Sequence, residues 1–201
     1  MKDLGQSGES IRHRHVVRHL PPFRMTIDLG DAAMIVTTSI LAAAAATFLW
    51  AAVSDARRYL IPNAASLILA GLFAAHAALC AFWSPVEFST LGHILAGTAA
   101  FAVGAGLFYA GLMGGGDVKL LAAAALWAGP DHTADLLFVT ALAGGLLGAG
   151  LLLARRLARR AVVAPSGEAA ASALQARLPY GIAIAAGGLW TLALIAAGGP
   201  A

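Results

Sequence analysis

Two aspartates carry the chemistry this sequence can do. Asp55 stands just past an apolar run that ends at Val53, and Asp117 stands at the start of another, behind Gly114, Gly115 and Gly116. Ionisable groups at such positions are expensive to keep and mark function by default. Two carboxylates that share one proton can hydrolyse a peptide bond. One, ionised, activates a water, while the other, kept protonated by its neighbour, polarises the scissile carbonyl. Taken singly, either acid reads as well as a capping or loop carboxylate as it does as a catalytic one. The glycine run admits close approach of another backbone, which suits an extended peptide laid beside Asp117. Glycine also serves close helix packing in membranes, the reading given to Gly144, Gly145, Gly148 and Gly150.

No other constellation competes. Cys80 is the sole cysteine and lies in an apolar run, so a disulfide framework, a CxxC pair or a Cys/His zinc site cannot be built. His76, His93 and His132 are scattered along the chain, and no cofactor or metal is expected.

The elements that must bring the two acids together are membrane helices. Of 201 residues, 60% are hydrophobic and 11% charged, against roughly 25% charged in a soluble domain. The mean hydropathy is +0.80. The chain therefore reads as one polytopic, all-α membrane domain whose partner is the lipid bilayer. The net charge of +3 belongs to loops sorted across that bilayer rather than to a nucleic-acid surface. Uncharged runs at 32–53, 64–83, 91–113, 136–154 and 178–197 are each long enough to span. A sixth, at 120–128, would cover only about 14 Å at helical rise.

Charge decides the sixth. Arg57 and Arg58 follow the first run, and Arg155, Arg156, Arg159, Arg160 and Arg177 lie between the last two long ones. Basic loops stay cytoplasmic, so an even number of crossings separates these two loops and the short segment must cross. Six transmembrane helices result, with Lys119 on the same side. The loops 84–90 and 129–135 carry Glu87, Asp131 and Asp135 and no Lys or Arg. Asp55 and Asp117 return to one face, and a short fourth helix must draw Gly114 to Asp117 into the membrane.

Residues 1–27 form a basic tail expected to be disordered, and 28–201 the membrane domain. The tail's five basic residues oppose this topology, and a translation start at Met25 would remove the conflict. Cleavage of the tail as part of a signal peptide is disfavoured, because the apolar run from Ala32 is long enough to span. Trp50 and Trp127 are assigned to interfacial belts. Lys119 and Arg58 lie near the acids, and snorkelling to headgroups accounts for them better than a site role. Residues 168–178 suggest a short amphipathic helix on the membrane surface. Pro62 sets φ for the start of the second helix and Asn63 can cap it.

Three motifs resemble a known family. Asp55-Ala-Arg-Arg-Tyr-Leu-Ile-Pro-Asn63, Gly114-Gly-Gly-Asp117-Val-Lys-Leu120 and Pro179-Tyr-Gly-Ile-Ala-Ile-Ala185 are similar to the D…IPN, GxGD-x-KL and PYG-x-A motifs of type IV prepilin peptidases. The short CpaA/TadV-like branch, which processes Flp/Tad-type pilins, is nearest. The resemblance spans residues 28–199. It implies a GxGD-type intramembrane aspartic peptidase fold with Asp55 and Asp117 catalytic, no metal, and Gly114, Gly116, Lys119, Pro62 and Asn63 as motif residues along the substrate channel. The implied substrates are prepilins or pseudopilins, cut at the cytoplasmic side of the bacterial inner membrane between a basic leader and a hydrophobic helix. Longer members carry paired cysteines and also methylate the new amino terminus; with Cys80 alone, methyl transfer is not expected. The competing reading is a small proton-coupled transporter using the same two aspartates, and a non-catalytic scaffold is a third.

Overall fold

The computed structural model describes residues 29–83, 89–161 and 179–198. The basic tail, Glu87 and the proposed surface helix at 168–178 lie outside them. The described residues form helices α1 (Leu29–Arg58), α2 (Asn63–Trp83), α3 (Thr90–Tyr109), α4 (Gly115–Ala161) and α5 (Tyr180–Ala196), with no strand among them. Four are long and apolar enough to cross a membrane, over Asp31–Arg58, Asn63–Phe82, Thr90–Tyr109 and Gly115–Leu157, and α5 is shorter at 17 residues.

Helix ends follow local chemistry. Ser89 opens α3 by accepting the Gly92 amide on Oγ at 3.2 Å. At the other end Gly111, at φ +73°, closes a Schellman turn: its amide reaches Phe108 O at 2.9 Å and the Leu112 amide reaches Leu107 O at 2.9 Å. The first helix ends differently. It runs five residues past the apolar stretch, so Asp55 sits in its last turn rather than beyond it. Its terminal residue in the left-handed region is Tyr59, at φ 51°, whose amide bonds to Asp55 O at 2.8 Å. A side chain in that region costs about 1–2 kcal/mol.

At 47 residues, α4 would reach about 70 Å as one straight rod, more than twice a hydrocarbon core. It does not stay straight. Gly129 breaks it at φ 61°, ψ −170°, a region open essentially only to glycine, and Pro130 restarts it, needing no amide partner at its first position. The packing register shows that the chain reverses there. Along α3, Gly104 faces Val118, Gly97 faces Leu126 and Gly92 faces Pro130, so residues 115–128 descend beside it. Beyond the break, Leu136 and Thr140 face Gly187 and then Gly144 faces Ala183, so the second arm climbs back along α5. The short apolar segment 120–128 is thus its own helical rod. The expected loop at 129–135 shrinks to one residue, because a glycine in this conformation can turn the backbone alone.

Packing is inverted in size. Buried positions are rich in alanine (Ala44, Ala51, Ala65, Ala124, Ala125, Ala128, Ala185), while Leu67, Leu95, Phe138 and Leu146 point outward. Small residues let helices approach where lipid supplies no hydrophobic drive, and large ones face the acyl chains. An exposed apolar surface of this extent would be a liability in water. Among the larger side chains that are fully buried, Phe48, Leu69, Leu120 and Leu136 included, Trp127 is the largest. Trp127 is 1% exposed and donates its indole N–H to Leu69 O at 3.0 Å. His76 stacks on it at 5.5 Å and Phe73 meets it edge-on at 5.8 Å. Trp127 is therefore a core residue, not part of an interfacial belt, whereas Trp50 does face outward. The histidines scattered in sequence are also partly gathered. His93 packs on Phe73 at 5.4 Å and donates from Nδ1 to Leu126 O at 2.9 Å, so it and His76 flank the same aromatic cluster, away from the aspartates.

Candidate active site

Three helix ends converge at one end of the bundle. Asp55 comes down from the last turn of α1, Asp117 from the first turn of α4, and the start of α5 lies against both. Asp117 stands three residues into its helix and reaches back, accepting the Gly114 amide on Oδ2 at 3.2 Å. This is the acidic half of a capping box, and it places the charge over the positive end of the helix dipole. Gly114 is required sterically as well, since a methyl group there would sit 2.7 Å from Oδ2.

Asp55 is held from another element. Its Oδ2 accepts the amide of Gly181 at 2.7 Å, while the next amide, of Ile182, turns to Pro179 O at 3.2 Å. Gly181 is the second residue of α5, one of the amides a cap normally satisfies. Pro179, the N-cap residue, supplies no side-chain bond, so Asp55 caps α5 across 126 positions of sequence. It is 5% exposed. Behind it Ile61 is wedged between two glycines: a methyl on Gly116 would lie 3.1 Å from Ile61 Cβ, and one on Gly181 would lie 2.8 Å from Ile61 Cδ1.

Both carboxylates open on one cavity of about 560 Å³, close enough for the charge of Asp55 to act on Asp117. Its walls are Tyr59, Phe108, Leu112, Met113 and Tyr180, with Gly111, Gly114 and Gly115 leaving the floor open. A larger cleft of about 870 Å³ lies between the first half of α1, the second half of α2 and the end of α5. No acid or base other than His76 and Cys80 lines it. Size is a poor guide here, and the smaller cavity is the one with a constellation that can do chemistry.

The other motif residues divide. Gly114 borders the cavity and Gly116 receives Ile61 behind it. Lys119 points elsewhere, donating from Nζ to Asn63 Oδ1 at 3.0 Å and lining a separate groove with Ser66, Gly97 and Thr98. This bond ties the start of α2 to the start of α4, and Pro62, whose carbonyl accepts the Ala65 amide at 3.0 Å, starts α2. Neither Lys119, Pro62 nor Asn63 lines the cavity. Gly181 and Ile61 fall within the sequence motifs, but residue type alone assigns them no role. A glycine two positions after a proline at a helix start was the available signal.

Fold and site together define a polytopic helical membrane protein with two carboxylates from different helices facing one cavity. The chain belongs to the type IV leader peptidase family, whose family model matches residues 42–149, more than half of it. No curated protein and no solved structure matches the chain. The matched stretch contains both aspartates and ends before α5. Membership makes the chain a peptidase.

Proposed function

We propose that this peptidase is of the aspartic type, with Asp55 and Asp117 as its catalytic pair and no metal cofactor. It removes the basic leader from Flp/Tad-type prepilins or pseudopilins at the cytoplasmic face of the bacterial inner membrane. The single observation that carries the reading is the meeting of two carboxylates, 62 positions apart in sequence, on one cavity at one end of the bundle.

Mutual repulsion favours one proton shared between the two groups. The ionised carboxylate removes a proton from water, the resulting hydroxide oxygen bonds to the scissile carbonyl carbon, and the protonated partner delivers its proton to the carbonyl oxygen. Collapse of the tetrahedral adduct breaks the C–N bond. The leaving nitrogen takes the proton that came from water, and the new carboxyl product leaves the pair again with one proton. The amide of Gly181 supports Asp55 as the member that holds the negative charge. The glycine floor supports an extended peptide lying over the pair.

The reading is completed by a six-crossing topology in which each arm of α4 spans separately. Arg57, Arg58 and Lys119 then share the end of the carboxylates, and Asp131 and Asp135 the opposite one, in keeping with basic residues staying inside. A carrier would keep its acids near the bilayer midplane; a pair at one end favours the peptidase.

The test is co-expression with a candidate prepilin, followed by a mobility shift and N-terminal sequencing of the product. Wild type is expected to cut at the leader junction. Asp55→Asn and Asp117→Asn are each expected to lose roughly 10³-fold or more, with the double variant no worse than either single one, as for residues that act as a unit. Asp31→Asn, Asp131→Asn and Asp135→Asn, away from the cavity, should cut normally. Near-normal cleavage by either dyad variant would refute the mechanism.

A further inference from the structure

Tyr59 is, among the described residues, the one non-glycine at positive φ. The turn it makes is needed. Its amide closes the end of α1 on Asp55 O at 2.8 Å, Ser54 Oγ donates to Leu60 O at 2.8 Å, and the chain then delivers Ile61 between Gly116 and Gly181. Every one of these contacts uses the backbone or a neighbouring side chain. Glycine, or asparagine, would make the same turn with less strain and is the usual occupant of the position. The phenol ring therefore has to be explained by something other than the turn. It is 54% exposed, and it lines the cavity that holds both carboxylates.

Strain that local structure does not require is evidence of function when it is observed rather than assumed. Two further rings reach the same cavity from other elements: Phe108 from α3, lying against Gly115, and Tyr180 from the first position of α5. With Leu112 and Met113 they set apolar side chains beside the two carboxylates and the glycine backbone, so the cavity lining is mixed in polarity. Aromatic rings grouped beside convergent polar groups are ordinary components of a ligand site.

We infer that Tyr59 is a substrate-contact residue, whose ring, together with Phe108 and Tyr180, takes an apolar side chain of the substrate next to the bond being cut. The inference rests on the reading of this cavity as the peptidase site. Tyr59 immediately follows the helix turn that carries Asp55 and is bonded back to it through its own amide, which would fix the distance between the bound side chain and that carboxylate.

The experiment compares Tyr59→Gly, Tyr59→Asn and Tyr59→Phe with wild type in the full chain, using a purified prepilin that wild type cleaves. Tyr59→Gly and Tyr59→Asn are expected to unfold in detergent at or above the wild-type temperature, because backbone strain is relieved. Their kcat/KM should fall about tenfold or more, chiefly through KM. Tyr59→Phe, which keeps the ring, should recover most of that loss. Binding of the same uncut prepilin to Asp117→Asn should weaken by a similar factor when Tyr59→Gly is added. Cleavage and binding by Tyr59→Gly equal to wild type would overturn the inference, and so would a lowered unfolding temperature accompanying the loss. If Asp55→Asn and Asp117→Asn cut normally, the reading of the cavity fails and takes this inference with it. If they are inactive while Tyr59→Gly cuts normally, only the role of Tyr59 falls.

Discussion

The amide of Gly181 donates to Oδ2 of Asp55 over 2.7 Å, so the last helix of the bundle begins on the carboxylate that ends the first. A proline N-cap leaves α5 without a cap of its own, and Asp55 fills the role. One group thereby does two things: it satisfies a helix terminus inside the protein, and it lines the cavity shared with Asp117.

This contact makes Gly181 sensitive in a way its position in sequence does not reveal. A methyl group there would stand 2.8 Å from Oδ2 of Asp55 and 2.8 Å from Ile61 Cδ1, both buried. Gly181→Ala should reduce prepilin cleavage by about 10²-fold, the effect of a displacement near 1 Å. The helical content by circular dichroism and the amount in the membrane should stay close to wild type. Cleavage at the wild-type rate would show that the Asp55 carboxylate need not sit where α5 holds it.

The reversal at Gly129 should be the most substitution-sensitive point away from the aspartates. Alanine there must adopt φ 61° and would bring a methyl within 2.5 Å of the His93 ring. Gly129→Ala is expected to destabilise the protein by roughly 3 kcal/mol or more, read as a lowered unfolding temperature in detergent. An unchanged temperature would mean that the two arms of α4 can join through a different turn.

The bond from Lys119 to Asn63 predicts a mild phenotype. It is an exposed link between two helix starts, and the ammonium does not line the cavity. Lys119→Met should cost no more than about 1 kcal/mol and leave kcat/KM within about threefold of wild type, in contrast to the dyad variants. A loss of the dyad size would place the ammonium in the chemistry after all.

Topology can be read with single cysteines in a Cys80→Ser background. Gly92 packs on Pro130, so Ser89 and Asp131 share an end of the bundle, and Arg58 lies at the other. Cysteines at Ser89 and Asp131 should react with an impermeant thiol reagent from outside intact cells, and one at Arg58 only after permeabilisation. Protection at Asp131 together with labelling at Ser89 would mean that residues 115–128 do not cross.

Much was legible without coordinates, because transfer from water to lipid is a property of residue types in a row. The apolar runs appear as helices, the short run at 120–128 is a separate rod, and Asp55 and Asp117 come to one end. Counting the two complete apolar runs between them predicted that last result with no knowledge of contacts. What the sequence could not say is which face of each helix looks inward. A helix immersed in lipid is apolar on every side, so no amphipathic stripe marks its buried face, and the contrast that remains, small inside against large outside, is weak. For that reason Trp127 read as an interfacial residue and is the centre of the core, and His76 and His93 read as scattered and share one aromatic cluster. Lys119 is turned to Asn63 for the same reason, by the packing of α2 on α4. The cap that Asp55 places on α5 spans 126 positions, and the left-handed turn at Tyr59 replaces a glycine that local rules would have chosen. Both are decided by what the tertiary structure needs at the cavity, where local propensity gives way.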